Sequence, residues 1–212
     1  MLFSSEETMK YDWRKEEKEL YAPKVKPQVQ VIPKQKYITI KGEGNPNEQE
    51  FADREEVLYA LAYGVRMAPR NGVDIEGYYD YGVYPLEGIW STKNPDNVYD
   101  KSKYTYTIMI RQPDFVNQKD FDTVLEKVKM KKNLPLLDDI KFEELEDGKI
   151  IQILHNGTYD NETASFNIMK EYMKEHGLKQ RCFEHREIYL NDSRKTAPDK
   201  LKTILRYFLE EE

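Results

Sequence analysis

Cysteine is nearly absent. Cys182 is the only one in 212 residues, so no internal disulfide can form, and a reducing cytoplasm is the expected compartment. Long hydrophobic runs are missing too. Nothing approaches the roughly 20 apolar residues of a membrane span. The start, Met-Leu-Phe-Ser-Ser-Glu-Glu, has neither the basic nor the apolar region of a secretion signal. No membrane partner is therefore expected. Basic charge is not in excess: 33 Lys and Arg stand against 39 Asp and Glu, a net charge of −6. With no compact basic cluster, no nucleic-acid partner is expected. The three histidines, His155, His176 and His185, are too scattered for a ligand set, so neither a metal nor another cofactor is expected. Gly42 and Gly44 hint at a phosphate cradle, but no Gly-Lys-Ser/Thr or full dinucleotide fingerprint follows, and a turn is the better reading.

Tyrosine is abundant, at 16 residues. Its flat apolar face and polar tip suit surface strands, a partner interface or a pocket for flat ligands, and the count does not choose among them. The stretch Arg181-Cys-Phe-Glu-His-Arg-Glu-Ile-Tyr-Leu reads as a strand. Alternation then puts Phe183, His185, Glu187 and Tyr189 on one face and Arg186, Ile188 and Leu190 on the other. The second face is an ordinary core face. The first holds a carboxylate between aromatic rings, an arrangement that raises a pKa, attracts a cation or activates a water. The plainer alternative is a solvated sheet face.

Around this strand the chain divides into an N-terminal arm, residues 1–28, and a domain, residues 29–212. The arm is charged and contains a short helix, with Tyr11, Trp13 and Tyr21 as candidate anchors. In the domain a strand at 29–41, interrupted near Pro33, leads to a helix from Glu48 to about Gly64, capped by Asn47 with Glu50 three residues on. Strands follow at 78–92 and 104–111, paired as a hairpin. Gly88 leaves room beside Trp90 for a backbone or a ligand. Asn117 with Asp120 caps a helix to Lys132. The second half offers a strand at 149–155, a helix from Glu162 to His176 ended by Gly177, the focal strand and a terminal helix opened by Thr196-Ala-Pro-Asp. Its missing partner strand is sought at 141–145. The Met169 and Met173 stripe reads as core. This order suggests an α+β fold of two pseudo-two-fold related strand-helix-strand-strand repeats, about 29–133 and 134–212, with antiparallel sheets around a central aromatic cleft. The focal strand and the Trp90 strand would line that cleft from opposite sides.

Five pieces carry a family resemblance: Gly42-Glu-Gly-Asn-Pro-Asn, Pro85-Leu-Glu-Gly-Ile-Trp, Met109-Ile-Arg-Gln-Pro-Asp-Phe-Val, Leu154-His-Asn-Gly-Thr-Tyr-Asp, and His185-Arg-Glu-Ile-Tyr-Leu-Asn-Asp-Ser-Arg-Lys-Thr-Ala-Pro. In order and over nearly the whole chain beyond the arm, they resemble the GyrI-like small-molecule-binding proteins, which also form the ligand-binding half of multidrug-sensing transcription regulators. The resemblance implies two pseudo-repeats about an aromatic cleft, with Glu187 as the acid that ligands meet and Trp90 as a wall. The DNA-binding domain that such regulators place before the pocket has no counterpart here.

Similar stand-alone proteins are linked to hydrolysis of cyclopropane rings in flat, DNA-alkylating compounds. That implies a metal-independent hydrolase with Glu187 as general base toward water and a small aromatic molecule as partner. The substrate-binding set is then Trp90, Tyr79, Tyr106, Phe183, His185 and Tyr189. Single residues keep alternatives: Trp90 or Tyr106 as core, Tyr79 as a cover for the cleft's end with Tyr78 and Tyr81, His185 as a rim residue. Glu87 reads as surface or structural, and Arg194 and Lys195 as turn residues. Two other functions fit: sequestration of cationic or aromatic drugs, and modulation of a topoisomerase. Oligomeric state is left open.

Overall fold

The computed structural model describes residues 10–211. Its centre is one eight-stranded antiparallel sheet. The strands are β1 (Gln28–Ile32), β2 (Gln35–Glu43), β3 (Leu86–Thr92), β4 (Tyr104–Gln112), β5 (Lys141–Leu145), β6 (Gly148–Asn156), β7 (Gln180–Tyr189) and β8 (Lys202–Leu209). They lie in the order β1-β6-β8-β7-β3-β4-β2-β5. The order is symmetric about the β7–β3 seam: β3-β4-β2 on one side answers β7-β8-β6 on the other. Each edge strand belongs in sequence to the half opposite, β1 lying beside β6 and β5 beside β2. The two halves are thus laced together at both edges and joined in the middle.

The connecting helices are α3 (Gln49–Arg66), α4 (Gln118–Lys131) and α5 (Glu162–Glu175), preceded in the arm by α1 (Trp13–Glu16) and α2 (Lys18–Tyr21). The stripe Val57, Leu58, Leu61 and Val65 of α3 packs with Ile38, Ile40, Ile108 and Ile110 of the sheet, and Phe121 and Val124 of α4 join them. Met169 and Met173 of α5 pack on Ile151, Ile153 and Leu205, the core role expected of that stripe. The capping box of Asn117 and Asp120 is present. Gly177 follows α5 at φ +66°, a left-handed position that suits glycine. α3 starts one residue later than its sequence suggests, with Glu48 at the cap and no side-chain bond from it.

Four expectations change. The terminal segment is a strand, not a helix. β8 is buried on both faces, with Leu205, Tyr207 and Leu209 turned one way and Ile204, Arg206 and Phe208 the other. A doubly buried strand shows a continuous apolar run, and an i, i+3, i+4 stripe can be read from it by chance. β8 is therefore the missing partner strand, while β5 edges the other half. The 29–41 strand is two strands in opposite halves of the sheet, divided at Pro33-Lys34, and the sheet residues of the Trp90 strand begin only at Leu86. Finally, the halves do not face each other. Their sheets are continuous, and β3 and β7 pair side by side.

The back of the sheet is covered by the arm. Trp13 donates from Nε1 to the Val83 carbonyl at 3.0 Å and stacks on Tyr84, and Tyr21 packs on both rings. Glu17 is the fastener: its carboxylate accepts from Tyr11 (3.0 Å), from Tyr84 (2.7 Å) and from the largely buried Arg111. Removing one partner of such a pair strands the other charge. Glu17→Ala is expected to lower stability by about 3 kcal/mol, measured by urea unfolding, with proteolytic cleavage moving into the arm.

Candidate functional site

The three long helices stand on one face of the sheet, and they leave the β3–β7 seam open between α3 and α5. The cleft there has a volume of about 1910 Å³, larger than the roughly 300–1,000 Å³ of a typical small-molecule pocket. Its floor is Trp90 from β3 and His185, Glu187 and Tyr189 from β7. Phe51, Glu55 and Tyr59 of α3 form one wall, and Glu162 and Phe166 of α5 the other.

Strand register sets the floor. Gly88 pairs with Glu187 and Trp90 with His185. Position 88 has no side chain, and the Trp90 indole uses that space: a Cβ there would stand 2.5 Å from Trp90 Nε1. The glycine thus makes room for Trp90 itself. From this position Nε1 donates to the Tyr189 hydroxyl at 2.8 Å, and that hydroxyl donates to Glu187 Oε2 at 2.8 Å. His185 Nε2 meets the other oxygen, Oε1, also at 2.8 Å. Burial, and then the charge of Glu187, push the Tyr189 hydroxyl well above its ordinary range, so the phenol keeps its proton and remains a donor.

A second carboxyl completes the group. Glu162 opens α5 and is only 7 % exposed. It faces Glu187 across the cleft floor, and its pKa lies well above the usual carboxylate range. Burial is the main cause, followed by the charge of Glu187. Glu162 Oε1 has no donor among the described residues. Two ionised carboxylates cannot bond to each other, but a protonated Glu162 can donate to Glu187, and both then have a partner.

The loop before α5 fixes Glu162 in place. His155 is buried, with Nε2 2.9 Å from the Thr158 carbonyl and Nδ1 2.9 Å from Ser165 Oγ. The carbonyl requires the proton on Nε2, so Nδ1 accepts from the serine. Gly157, at φ +124°, makes the bend. The loop then carries Tyr159 edge-on against Tyr189, with ring centroids 5.7 Å apart.

The expected site residues divide accordingly. Glu187, His185, Tyr189 and Trp90 come together on the floor. Trp90 is only 7 % exposed and stacks on Phe51, so it offers the cleft an edge more than a face. Phe183 is 57 % exposed at the rim, where β7 bulges out of register with β8 between Gln180 and His185. Tyr106 is not a cleft residue. It is 4 % exposed and packs behind Trp90 and Phe51. Tyr79 is not one either: it contacts Tyr11, Tyr81 and Phe115 on the arm side. The opposite face of the focal strand holds more than apolar core. Arg186, 1 % exposed, bonds Glu87 at 2.9 Å, Asp147 at 2.9 Å and the Tyr37 hydroxyl at 3.0 Å, and Asp147 also meets Arg206 at 2.6 Å. Glu87 is thus structural and wholly buried. Glu162, Phe51, Phe166 and Tyr159 are cleft residues the sequence reading missed. Glu162 resembles any first-turn acid of a helix, and only its burial sets it apart. Among the described residues no three His, Cys, Asp or Glu side chains are grouped as a metal site, and no helix is long and apolar enough to cross a membrane.

A model of the GyrI-like small molecule binding domain matches residues 26–207. The chain belongs to the GyrI-like family. An uncharacterized conserved protein from Listeria innocua is 34 % identical and superposes with a TM-score of 0.90, covering 95 % of this chain and 100 % of its own. A hydrolase from Listeria innocua is 33 % identical over the same shares, with a TM-score of 0.88. The EcmrR C-terminal domain, 10 % identical, has a TM-score of 0.52 over 88 % of this chain and 98 % of its own, and shares the fold. No curated protein sequence matches the chain. This is a GyrI-like small-molecule-binding domain.

Two outcomes are expected of the site. Gly88→Ala overpacks the floor, displaces Trp90 and breaks its bond to Tyr189. It should cost about 1–3 kcal/mol and weaken binding of a planar aromatic ligand, both read in one tryptophan-fluorescence titration. Glu162 gives a pH signature. Its folded pKa lies above the unfolded one, so between the two values the folded state holds more protons and stability falls as pH rises. Glu162→Gln should flatten that fall, giving a melting temperature above the wild type at pH 8 and a smaller difference at pH 5.

Proposed function

We propose that the cleft binds flat aromatic small molecules and hydrolyses reactive ones by opening an activated cyclopropane ring, with Glu187 as general base. The observation that carries this reading is the held carboxylate. Glu187 lies at the bottom of an aromatic cleft, with Tyr189 and His185 at its two oxygens. A ligand conjugated to a dienone slides between Phe51 and Phe166, which supply apolar walls. Water beside Glu187 gives up a proton as its oxygen attacks the ring methylene. The ring C–C bond breaks, and its electron pair runs through the dienone to become a phenolate, which takes a proton from solvent, while Glu187 gives its own proton back to solvent. Positioning in the cleft and a general base each contribute orders of magnitude in rate.

Drug sequestration is the second reading, favoured by the same carboxylate as a counter-charge and by the size of the cleft. Turnover separates the two. With catalytic amounts of protein and a cyclohexadienone cyclopropane, dienone absorbance should disappear over many turnovers and mass spectrometry should find a water adduct. Glu187→Gln, still folded by circular dichroism, should be slower by about 10²–10⁴-fold. Stoichiometric binding without product, in both proteins, would leave a sequestering protein.

A further inference from the structure

Ring opening leaves one group at the site without a role. The electron pair released by a dienone cyclopropane ends on an oxygen across a six-membered ring, beyond the reach of an acid beside the base. Glu162 and Glu187 are nevertheless both buried and line the same cleft, and one Glu162 oxygen meets no donor among the described residues. Two carboxyls lining one cleft, one of them with a buried oxygen left unpartnered, suit a different geometry. In addition of water to a carbonyl, the attacked carbon and the oxygen that takes the proton are bonded neighbours. A base and an acid side by side then serve both at once. Displacement at a saturated carbon needs the leaving group on the side opposite the water, which this pair does not provide.

We propose that the cleft also hydrolyses planar aryl esters, with Glu187 as base and Glu162 as acid. The inference rests on the reading of Glu187 as a base and is independent of ring opening. Water between the two carboxyls passes a proton to Glu187 and forms the new C–O bond, while the Glu162 proton moves to the carbonyl oxygen. The neutral tetrahedral adduct then collapses. Glu187 returns its proton to the aryl oxygen as that C–O bond breaks, and Glu162 recovers a proton from one of the hydroxyls. A carboxylic acid and a phenol leave, and the pair again holds one proton. The flat leaving group is the part the walls recognise: Phe51 and Tyr59 on α3, and Phe166 and Tyr159 by α5, line the space over the pair.

The test uses 4-methylumbelliferyl acetate, whose released phenol is fluorescent, in ¹⁸O-enriched water, with wild type, Glu162→Gln and Glu187→Gln. The wild type should turn over many times and place one ¹⁸O in the acetate, and each variant should lose about 100-fold or more. Wild-type hydrolysis should also fall at high pH, where Glu162 loses its proton. The other ionisable groups around Glu162 are Glu187, Asp160, Tyr104, Tyr159 and Tyr189, with His185 on Glu187 and against Phe166, and a base working alone would not weaken there. Hydrolysis by Glu162→Gln at the wild-type rate, or a single burst leaving an acetylated protein, overturns the proposal. So does an inert wild type that still opens the dienone cyclopropane. Ester turnover with no ring opening upholds the acid–base pair and removes the cyclopropane reading instead. Failure of both reactions, with a planar aromatic dye still bound, overturns both and leaves a binding protein.

Discussion

A carboxylate at the bottom of an apolar cleft is stable only if donors meet its oxygens, and the architecture here is arranged around that demand for Glu187. Tyr189 donates to one oxygen and is itself aimed by the Trp90 indole; His185 holds the other. The indole reaches Tyr189 because position 88 carries no side chain. A single glycine on β3 therefore decides the geometry of a carboxylate on β7. Glu162 adds a second buried carboxyl, pushed by burial well above the usual carboxylate range, and the His155 loop keeps it in place.

The seam that carries this chain is also locked from behind. Arg186 and Glu87 are the strand neighbours of Glu187 and Gly88 and point through the sheet to its opposite face, where they pair. Asp147 and Arg206 extend the network to β8, and the Tyr37 ring lies under the Arg186 guanidinium at 5.1 Å. Buried charges cost desolvation that their pairing only partly offsets. Here they join both halves of the molecule across the central pair of strands, β3 and β7. The N-terminal arm closes the same face through Glu17 and Arg111, and so excludes water from beneath the floor.

Much of this was legible in the residues. Alternation along β7 put Phe183, His185, Glu187 and Tyr189 on one face; the strand keeps the last three there, while Phe183 lies in the irregular stretch at the rim. Trp13 and Tyr21 were visible as anchors because large aromatics in a charged arm have few other uses. What the sequence hid was of two kinds. Periodicity does not distinguish a doubly buried strand from a helix, so β8 looked like a closing helix and its absence from the sheet left the second half short of a strand. Local pattern also says nothing of which segments meet across the fold. Tyr79 and Tyr106 carry the same side chain as Tyr189, yet the first lies under the arm and the second behind Trp90. Glu162 is the converse: it sits two residues past a recognisable motif, among ordinary helix-starting residues, and gains its character only from facing Glu187.

The central physical claim is that Glu162, buried in the cleft with Glu187, holds its proton well above the usual carboxylate range. A carbon-13 NMR titration of protein labelled at the glutamate carboxyls measures this directly. At pH 7 one carboxyl carbon should still resonate at the protonated position, titrate well above the other glutamates, and vanish in Glu162→Gln. Two ordinary titrations, with every glutamate ionised at pH 7, would contradict the paired site and the acid–base chemistry drawn from it.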